Sequence, residues 1–431
     1  MNMHKKSFFA LPVFLSFFLL VGALCALPLF AQSGEISGVI VKPGLSPLNI
    51  ALEIPDAGLA AIIGNDLRLS GYFNLNTPPT RPAVPTETTG QALATWLTEW
   101  RSLGADQVLR VTVRSPEPLT LDYFVYDAKQ GQLAAGKSYT GTAKDRRWLA
   151  HTISDDVLRT LWGTEGIART HLLSVQQVGR AREIYWMDYD GAGASAVTAN
   201  GAINLRPASV DGKFIAYISY SRIFPEIRAI QNGATRTLYT QNDGLVSSPA
   251  FSADGRTIYF TASQQGNPDV YSLPANAAPG TAPLQLTKSA AIDTEPSPSP
   301  DGKTVAFVSD RSGRPQIYLM DADGGNIRPL GAGPLKQTSP AYAPDGRSLL
   351  FTGSTGGAYE IYLYTFEDKA AKAITAGLGA EEPAFAPDSR HFVFVSRRGG
   401  SPQLYLSAID GTVPPEAITK GAGNYLPVFV K

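Results

Sequence analysis

From residue 207 onward the chain repeats one pattern of apolar and polar positions. Each copy opens with Pro-Ala-x-Ser-x-Asp-Gly-Lys/Arg and continues into a β-branched and aromatic run. The copies are Pro207-Ala-Ser-Val-Asp-Gly-Lys213, Pro249-Ala-Phe-Ser-Ala-Asp-Gly-Arg256, Pro296-Ser-Pro-Ser-Pro-Asp-Gly-Lys303, Pro340-Ala-Tyr-Ala-Pro-Asp-Gly-Arg347 and Pro383-Ala-Phe-Ala-Pro-Asp-Ser-Arg390. A truncated copy stands at Pro427-Val-Phe-Val430, and the prolines are spaced by 42, 47, 44, 43 and 44 residues. Within a period the pattern predicts four strands. Asp-Gly turns the first into the second, such as Thr304 to Ser309, because glycine accepts the positive φ of a tight turn and aspartate bonds its own backbone. A Gly/Pro turn leads to a third, such as Gln316 to Met320, and Asp321 to Gly325 leads to a fourth, Ile327 to Leu330. Four antiparallel strands every 40 to 50 residues describe a β-propeller blade.

Counting strand types sets the number of blades. Third strands occur at Glu183–Met187, Glu226–Ile230, Asp269–Leu273, Gln316–Met320, Glu360–Tyr364 and Gln403–Leu406, which makes six. First strands reach six only with Pro427 to Val430, while His171 to Gln177 is a second strand with no first strand before it. The two ends are expected to share one blade, closing the ring and removing its open edges.

Residues 33 to about 165 have a different texture. Ile36 to Val41 and Leu48 to Ile54 read as strands. Pro55 and Asp56 then open a helix with Leu59, Ile62, Ile63 and Leu67 on one stripe, ending at Gly71. Thr77 to Thr89 reads as a loop. Leu93, Trp96, Leu97 and Trp100 mark a second helix that stops at Gly104, and Asp145 to Trp162 a third, with Leu149, Ile153, Val157 and Leu161 along one side. Val108 to Val113, Leu121 to Tyr126 and Gln132 to Tyr139 are the intervening strands. The expected fold is an α/β N-terminal domain with a mixed sheet (32–165), followed by an all-β six-bladed β-propeller (166–431).

The first thirty residues change the picture of where the chain works. Lys5 and Lys6 precede an almost wholly apolar stretch from Phe8 to Leu24, and small residues lead into Gln32-Ser-Gly-Glu35. Residues 1–31 read as a signal peptide cleaved near Ala31 or Ala26, with an uncleaved membrane anchor as the rival reading. Cleavage at Ala31 removes two lysines, no acid and the single cysteine, Cys25. That turns a balance of 37 basic against 37 acidic residues into 35 against 37. A neutral chain with only 17% charged residues, against about 25% on average, lacks the basic field of a nucleic-acid binder. One cysteine excludes a disulfide framework and a thiolate metal cluster.

The two halves together resemble the TolB family, periplasmic components of the Tol-Pal system of Gram-negative bacteria. The repeat is shared by many propellers, so the specific matches are in the first domain. Ile62-Ile-Gly-Asn-Asp-Leu-Arg-Leu-Ser-Gly-Tyr-Phe73 resembles the family's Asp-Leu-x-x-Ser-Gly-x-Phe helix end. His151-Thr-Ile-Ser-Asp-Asp-Val157, with Gly163, Gly166, Arg169 and Thr170, resembles its Ala-His-x-x-Ser-Asp helix and Gly-x-Arg-Thr-Arg segment. His171 stands where that segment ends in arginine, which casts doubt on any role for the family arginine; Asp388-Ser389 replaces Asp-Gly in the fifth copy. The resemblance implies a non-enzymatic scaffold whose propeller binds the peptidoglycan-associated lipoprotein Pal and whose N-terminal segment engages TolA. It implies a periplasmic location, no membrane span after cleavage, outer-membrane proteins as further candidate partners, and a role in outer-membrane integrity and constriction during division.

Catalytic chemistry finds little support in the residues. There is no GxSxG, and His151, His171 and His391 have no second ligand at metal-binding spacing. Asp211, Asp254, Asp301, Asp345 and Asp388 sit at turn positions, and Tyr259, Phe307, Phe351 and Phe394 alternate as core residues. No catalytic, cofactor or metal residue is assigned, although the channel leaves room for a structural divalent metal. The competing class is a periplasmic propeller enzyme, lactonase or quinoprotein-like, with a metal or cofactor in its channel. The preferred site is a rim where the first strands begin: Ser247, Ser248, Thr294, Glu295, Thr338, Ser339, Glu381 and Glu382. Thr294-Glu295-Pro296 matches the family there, and by resemblance the rim faces Pal; the same residues could instead only cap turns. Gln32, Ser33, Glu35 and Ile36 are the candidates for TolA, with Ile36 to Val41 either adding to a partner sheet or forming an internal strand.

Overall fold

The computed structural model describes residues 46–85, 89–264, 266–331, 333–421 and 423–430. The signal segment, the Ile36–Val41 strand and the candidates Gln32, Ser33, Glu35 and Ile36 lie outside the described residues. Among the described residues no helix is long and apolar enough to cross a membrane.

The first domain runs β1 (Leu48–Glu53), α1 (Ala57–Leu69), β2 (Phe73–Asn76), α2 (Gly90–Ser102), β3 (Gln107–Pro116), β4 (Leu119–Asp127), β5 (Gln132–Gly141) and α3 (Arg146–Trp162). Its sheet has the order β2-β1-β3-β4-β5. β1 is parallel to both β2 and β3, whereas β3, β4 and β5 are antiparallel. The mixed sheet agrees with the sequence reading, which missed β2 because four residues carry too little alternation. Successive residues of one strand serve opposite faces. Ile50 and Leu109 join Leu59, Ile63 and Leu67 of α1 and Leu149, Ile153 and Val157 of α3 on one side. Ala51 and Val108 meet Trp96, Leu97 and Trp100 of α2 on the other. Asp56 caps α1 by accepting the Leu59 N–H at 3.0 Å.

The rest of the chain forms six four-stranded antiparallel sheets. Their innermost strands are Asn204–Ser209, Val246–Phe251, Asp293–Pro298, Lys336–Tyr342, Ala380–Phe385 and Asn424–Val430. The Asp-Gly turns follow the sequence logic, with the Asp211 carboxylate accepting the N–H groups of Lys213 and Phe214, and Asp345 that of Arg347. Phe307, Phe351 and Phe394 on second strands are fully buried between blades, each contributing about 1.5–3 kcal/mol. Outer strands are shorter than the repeat suggested. Arg328–Pro329, for example, spans two residues, since an edge strand facing water needs little more.

The ring closes through Asn424–Val430, which pairs antiparallel with His171–Val178. Val430 (1% exposed) and Phe429 (9%) enter two different inter-blade cores. Leu426 lines the central channel, whereas Val428 is half-buried against the same core as Val430, so the burial that holds this strand comes mainly from Val428 to Val430. Both domains belong to a single compact unit, Gly38–Lys431. α3 is buried without a break from Leu149 to Leu158, including His151, Ser154, Asp155 and Asp156. That polar burial is possible because its carboxylates, histidine and hydroxyl meet partners in both domains.

Candidate partner-binding site

In an antiparallel blade the innermost strand begins at the face where the second strand ends. The loops joining second to third strands share that mouth face, and the Asp-Gly turns lie on the opposite, turn face. At the mouth, one residue in every blade adopts a left-handed backbone: Arg206, Ser248, Glu295, Ser339, Glu382 and Leu426, with φ between 50° and 57°. Each precedes a proline. Proline has no N–H to give the ladder, so the strand bulges at that pair, as between Thr294 and Ser297 or Glu381 and Ala384. A non-glycine residue held there costs on the order of 1 kcal/mol.

The freed N–H groups are recovered by hydrogen bonds around the ring. Glu295 N donates to Thr261 Oγ1 at 3.2 Å and Glu382 N to Thr352 Oγ1 at 3.0 Å, each threonine on the second strand of the preceding blade. Ser339 N donates to Glu295 Oε2 at 2.7 Å, and Leu426 N to Glu382 Oε2 at 2.8 Å. Arg206 pairs with Glu295 Oε1 at 2.6 Å. Arg206, Ser248, Glu295, Ser339, Glu382 and Leu426 line a channel of about 640 Å³ whose wall carries the repeated prolines. Burial pushes the Glu382 carboxyl above its ordinary range, against the Leu426 N–H and the Arg206 charge.

Of the rim residues expected from sequence, Ser248, Glu295, Ser339 and Glu382 converge on this channel. Their neighbours Ser247, Thr294, Thr338 and Glu381 are half-buried and lie outside its lining, one position earlier on the strand. Sequence reasoning missed Arg206 and Leu426. The six-fold x-Pro register pointed to both, but neither resembles its polar counterparts. Around the mouth, Ile203, Tyr220, Phe224, Leu245, Ile292, Leu335 and Tyr359 are exposed, and Ile223 on the loop between the second and third strands of its blade is 91% exposed. Elsewhere on the propeller Val210, Leu284 and Ile327 are the comparable apolar side chains among the described residues. No three His, Cys, Asp or Glu side chains group as a metal ion would require among those residues.

The turn face meets the first domain. Asp66 of α1 accepts His151 Nδ1 at 2.8 Å, Ser154 Oγ at 2.8 Å and the hydroxyl of Tyr189, a propeller residue, at 2.9 Å. His151 Nε2 stands 3.7 Å from Asp188 Oδ2, and Arg147 pairs with Asp188 and Asp190. Burial disfavours charge on His151, but the two carboxylates outweigh it and hold its pKa at about 9. His391 bridges Asp388 Oδ2 (2.5 Å) and the Leu69 carbonyl (3.0 Å). Arg390 donates to the Ser70 carbonyl at 2.6 Å and lies 4.4 Å over the Tyr72 ring. Gly71 is required twice: its φ is +72°, and a Cβ there would lie 2.6 Å from Thr412 Oγ1. A Cβ on Gly166 would strike Asp155 Oδ1 at 2.0 Å, where Asp155 holds Arg169 at 2.9 Å. His171 Nε2 lies 3.7 Å from Asp188 Oδ1, and its ring sits tilted over Trp186 with centroids 4.7 Å apart.

The residues that carried the family resemblance are therefore the ones that fasten the domains together. The family model for the TolB amino-terminal domain matches residues 40–134, and that for the TolB beta propeller domain matches 158–336 and 331–431. The Tol-Pal system protein TolB of Geobacter sulfurreducens is 31% identical over 193 residues, covering 42% of this chain and 44% of that one. The one from Desulfosudis oleivorans is 30% identical over 289 residues, covering 63% and 64%. The chain thus spans less than two thirds of the length of these curated relatives. The crystal structure of TolB from Acinetobacter baumannii superposes with a TM-score of 0.79 at 25% identity, over 91% of this chain and 98% of that one. With both family models in succession and a solved TolB matching both domains, the chain belongs to the TolB family of the Tol-Pal system, a family of non-enzymatic components.

Proposed function

We propose that the chain is a periplasmic scaffold of the Tol-Pal system that docks the lipoprotein Pal on the mouth face of its propeller. Its N-terminal segment, from Gln32 through Ile36, engages TolA, and the link supports outer-membrane integrity and constriction during division. The observation that carries this reading is the asymmetry of the propeller. The first domain occupies the turn face, while the mouth face offers an open channel ringed by exposed apolar side chains. Such a rimmed apolar surface on a water-soluble domain is the mark of a protein interface. Family membership supports partners within the Tol-Pal complex. The test is calorimetric titration of the exported protein with the soluble domain of Pal from the same organism. Ser248→Trp, which crowds the channel that Ser248 lines, is expected to abolish binding and leave the thermal transition intact; undiminished binding would sink the assignment of this face. Deleting Gln32 to Gly38 is expected to remove TolA binding and spare Pal binding, and equal loss of both would disfavour separate sites.

A further inference from the structure

The ring at the channel mouth uses its two carboxylates unequally. Glu295 is fully engaged, one oxygen by Arg206 and the other by the Ser339 N–H. Glu382 Oε2 takes the Leu426 N–H, whereas its Oε1 has no hydrogen-bond partner among the described residues. The Arg206 guanidinium is committed to Glu295. Glu382 thus faces the channel as a carboxylate without a counter-ion in contact. Glu382 is only partly exposed, and a carboxylate in such a site gains more from a cation than one in open water; burial together with the nearby Glu381 and Glu295 charges already raises its affinity for a proton. Its ring neighbours supply what a basic chain needs. Ser339 offers a hydroxyl acceptor, and Leu426 offers apolar surface for a methylene stem.

We propose that Glu382 is the receptor for one lysine or arginine side chain that the docking partner inserts into the channel mouth. The proposal rests on the reading of the mouth face as the docking surface and adds the chemistry by which it selects its partner. A basic side chain fits better than a metal ion, because Glu382 belongs to no group of three ligating side chains among the described residues. A single ammonium or guanidinium needs one carboxylate and hydrogen-bond acceptors beside it.

The experiment titrates the exported protein and its Glu382→Gln, Glu382→Lys and Ser248→Trp variants with the soluble domain of Pal, at low and high salt. Glutamine retains an acceptor for the Leu426 N–H, so its thermal transition serves as the folding control. Glu382→Gln is expected to weaken binding at least about tenfold and to flatten the salt dependence, with Glu382→Lys weaker still. Equal binding by wild type and Glu382→Gln at both salts, with none by Ser248→Trp, overturns the proposal and leaves the docking face standing. Absence of binding by the wild type overturns the docking face and the proposal with it. In a separate arm calcium is added alone. A thermal stabilisation seen in the wild type and lost in Glu382→Gln assigns the site to a metal and also overturns the proposal.

Discussion

The two faces of the propeller are built from the same repeat and meet opposite demands. On the turn face, ionic and hydrogen-bonded side chains are buried and matched: Asp66 serves three donors, and Arg390 serves a carbonyl, a carboxylate and a hydroxyl. On the mouth face, strained backbone, an open channel and exposed apolar side chains meet no other domain among the described residues. A permanent interface can bury charge because its geometry is fixed at folding. A surface that must meet a second protein keeps its apolar groups outside and its charges few. Mutations should accordingly divide by face, with stability lost on one and binding on the other.

The largest effect should come from cutting across that division. Ending the chain after Gly423 removes the strand that closes the ring and strips Phe429 and Val430 from two cores. More than about 4 kcal/mol should vanish, and urea unfolding should lose its single cooperative transition; an unchanged transition would contradict closure. Next, Asp66→Ala leaves His151, Ser154 and Tyr189 facing an empty acceptor position and should cost about 3–5 kcal/mol. Pal binding, measured where the variant is still folded, should be unchanged, and a parallel loss of binding would break the contrast between faces.

Alkaline pH should release part of the same latch. His151 is raised from 6.5 to about 9 in the folded protein, so its stabilisation is complete below about pH 6.5 and is lost as pH rises through 9. On the order of 3 kcal/mol should disappear between pH 6 and pH 10 in urea titrations. His151→Gln should lose less over the same span, and an identical pH slope in that variant argues against the assignment. The smallest stability effect belongs to the open face. Ile223→Asp should shift unfolding by no more than about 0.5 kcal/mol while weakening Pal binding by about tenfold, and a large drop in the thermal transition would mean that the loop is structural.

Much of the fold was legible because its signals are local and repeated. The Asp-Gly turns, the alternation through Thr304–Ser309 and the orphan second strand at His171 required six blades before any coordinates. Half of the proposed rim was legible too, since the position before each proline recurs. Which residue of each neighbouring pair lines the channel depends on the bulge. It carries Ser248, Glu295, Ser339 and Glu382 into the channel lining and leaves Thr294 or Glu381 outside it, one position earlier. Pattern alone treats those neighbours alike, because a two-residue period contains no term for a bulge.

The sequence by itself determined the blade count and the mixed α/β first domain, which rest on short-range periodicity and turn chemistry, and the family, which rests on the motifs around Asp66 and His151. Tertiary structure alone decided the meaning of the most family-specific residues. Asp66, His151, Ser154, Asp155, Gly71 and Gly166 are scattered over a hundred positions and read as isolated polar or small residues. Only the folded chain brings them to one buried seam, where each carboxylate finds its donors and each glycine gives way to an atom from another segment. The same holds for Glu382, whose unmatched oxygen follows from the bulge, the channel and the distance to Arg206, none of which a linear pattern contains.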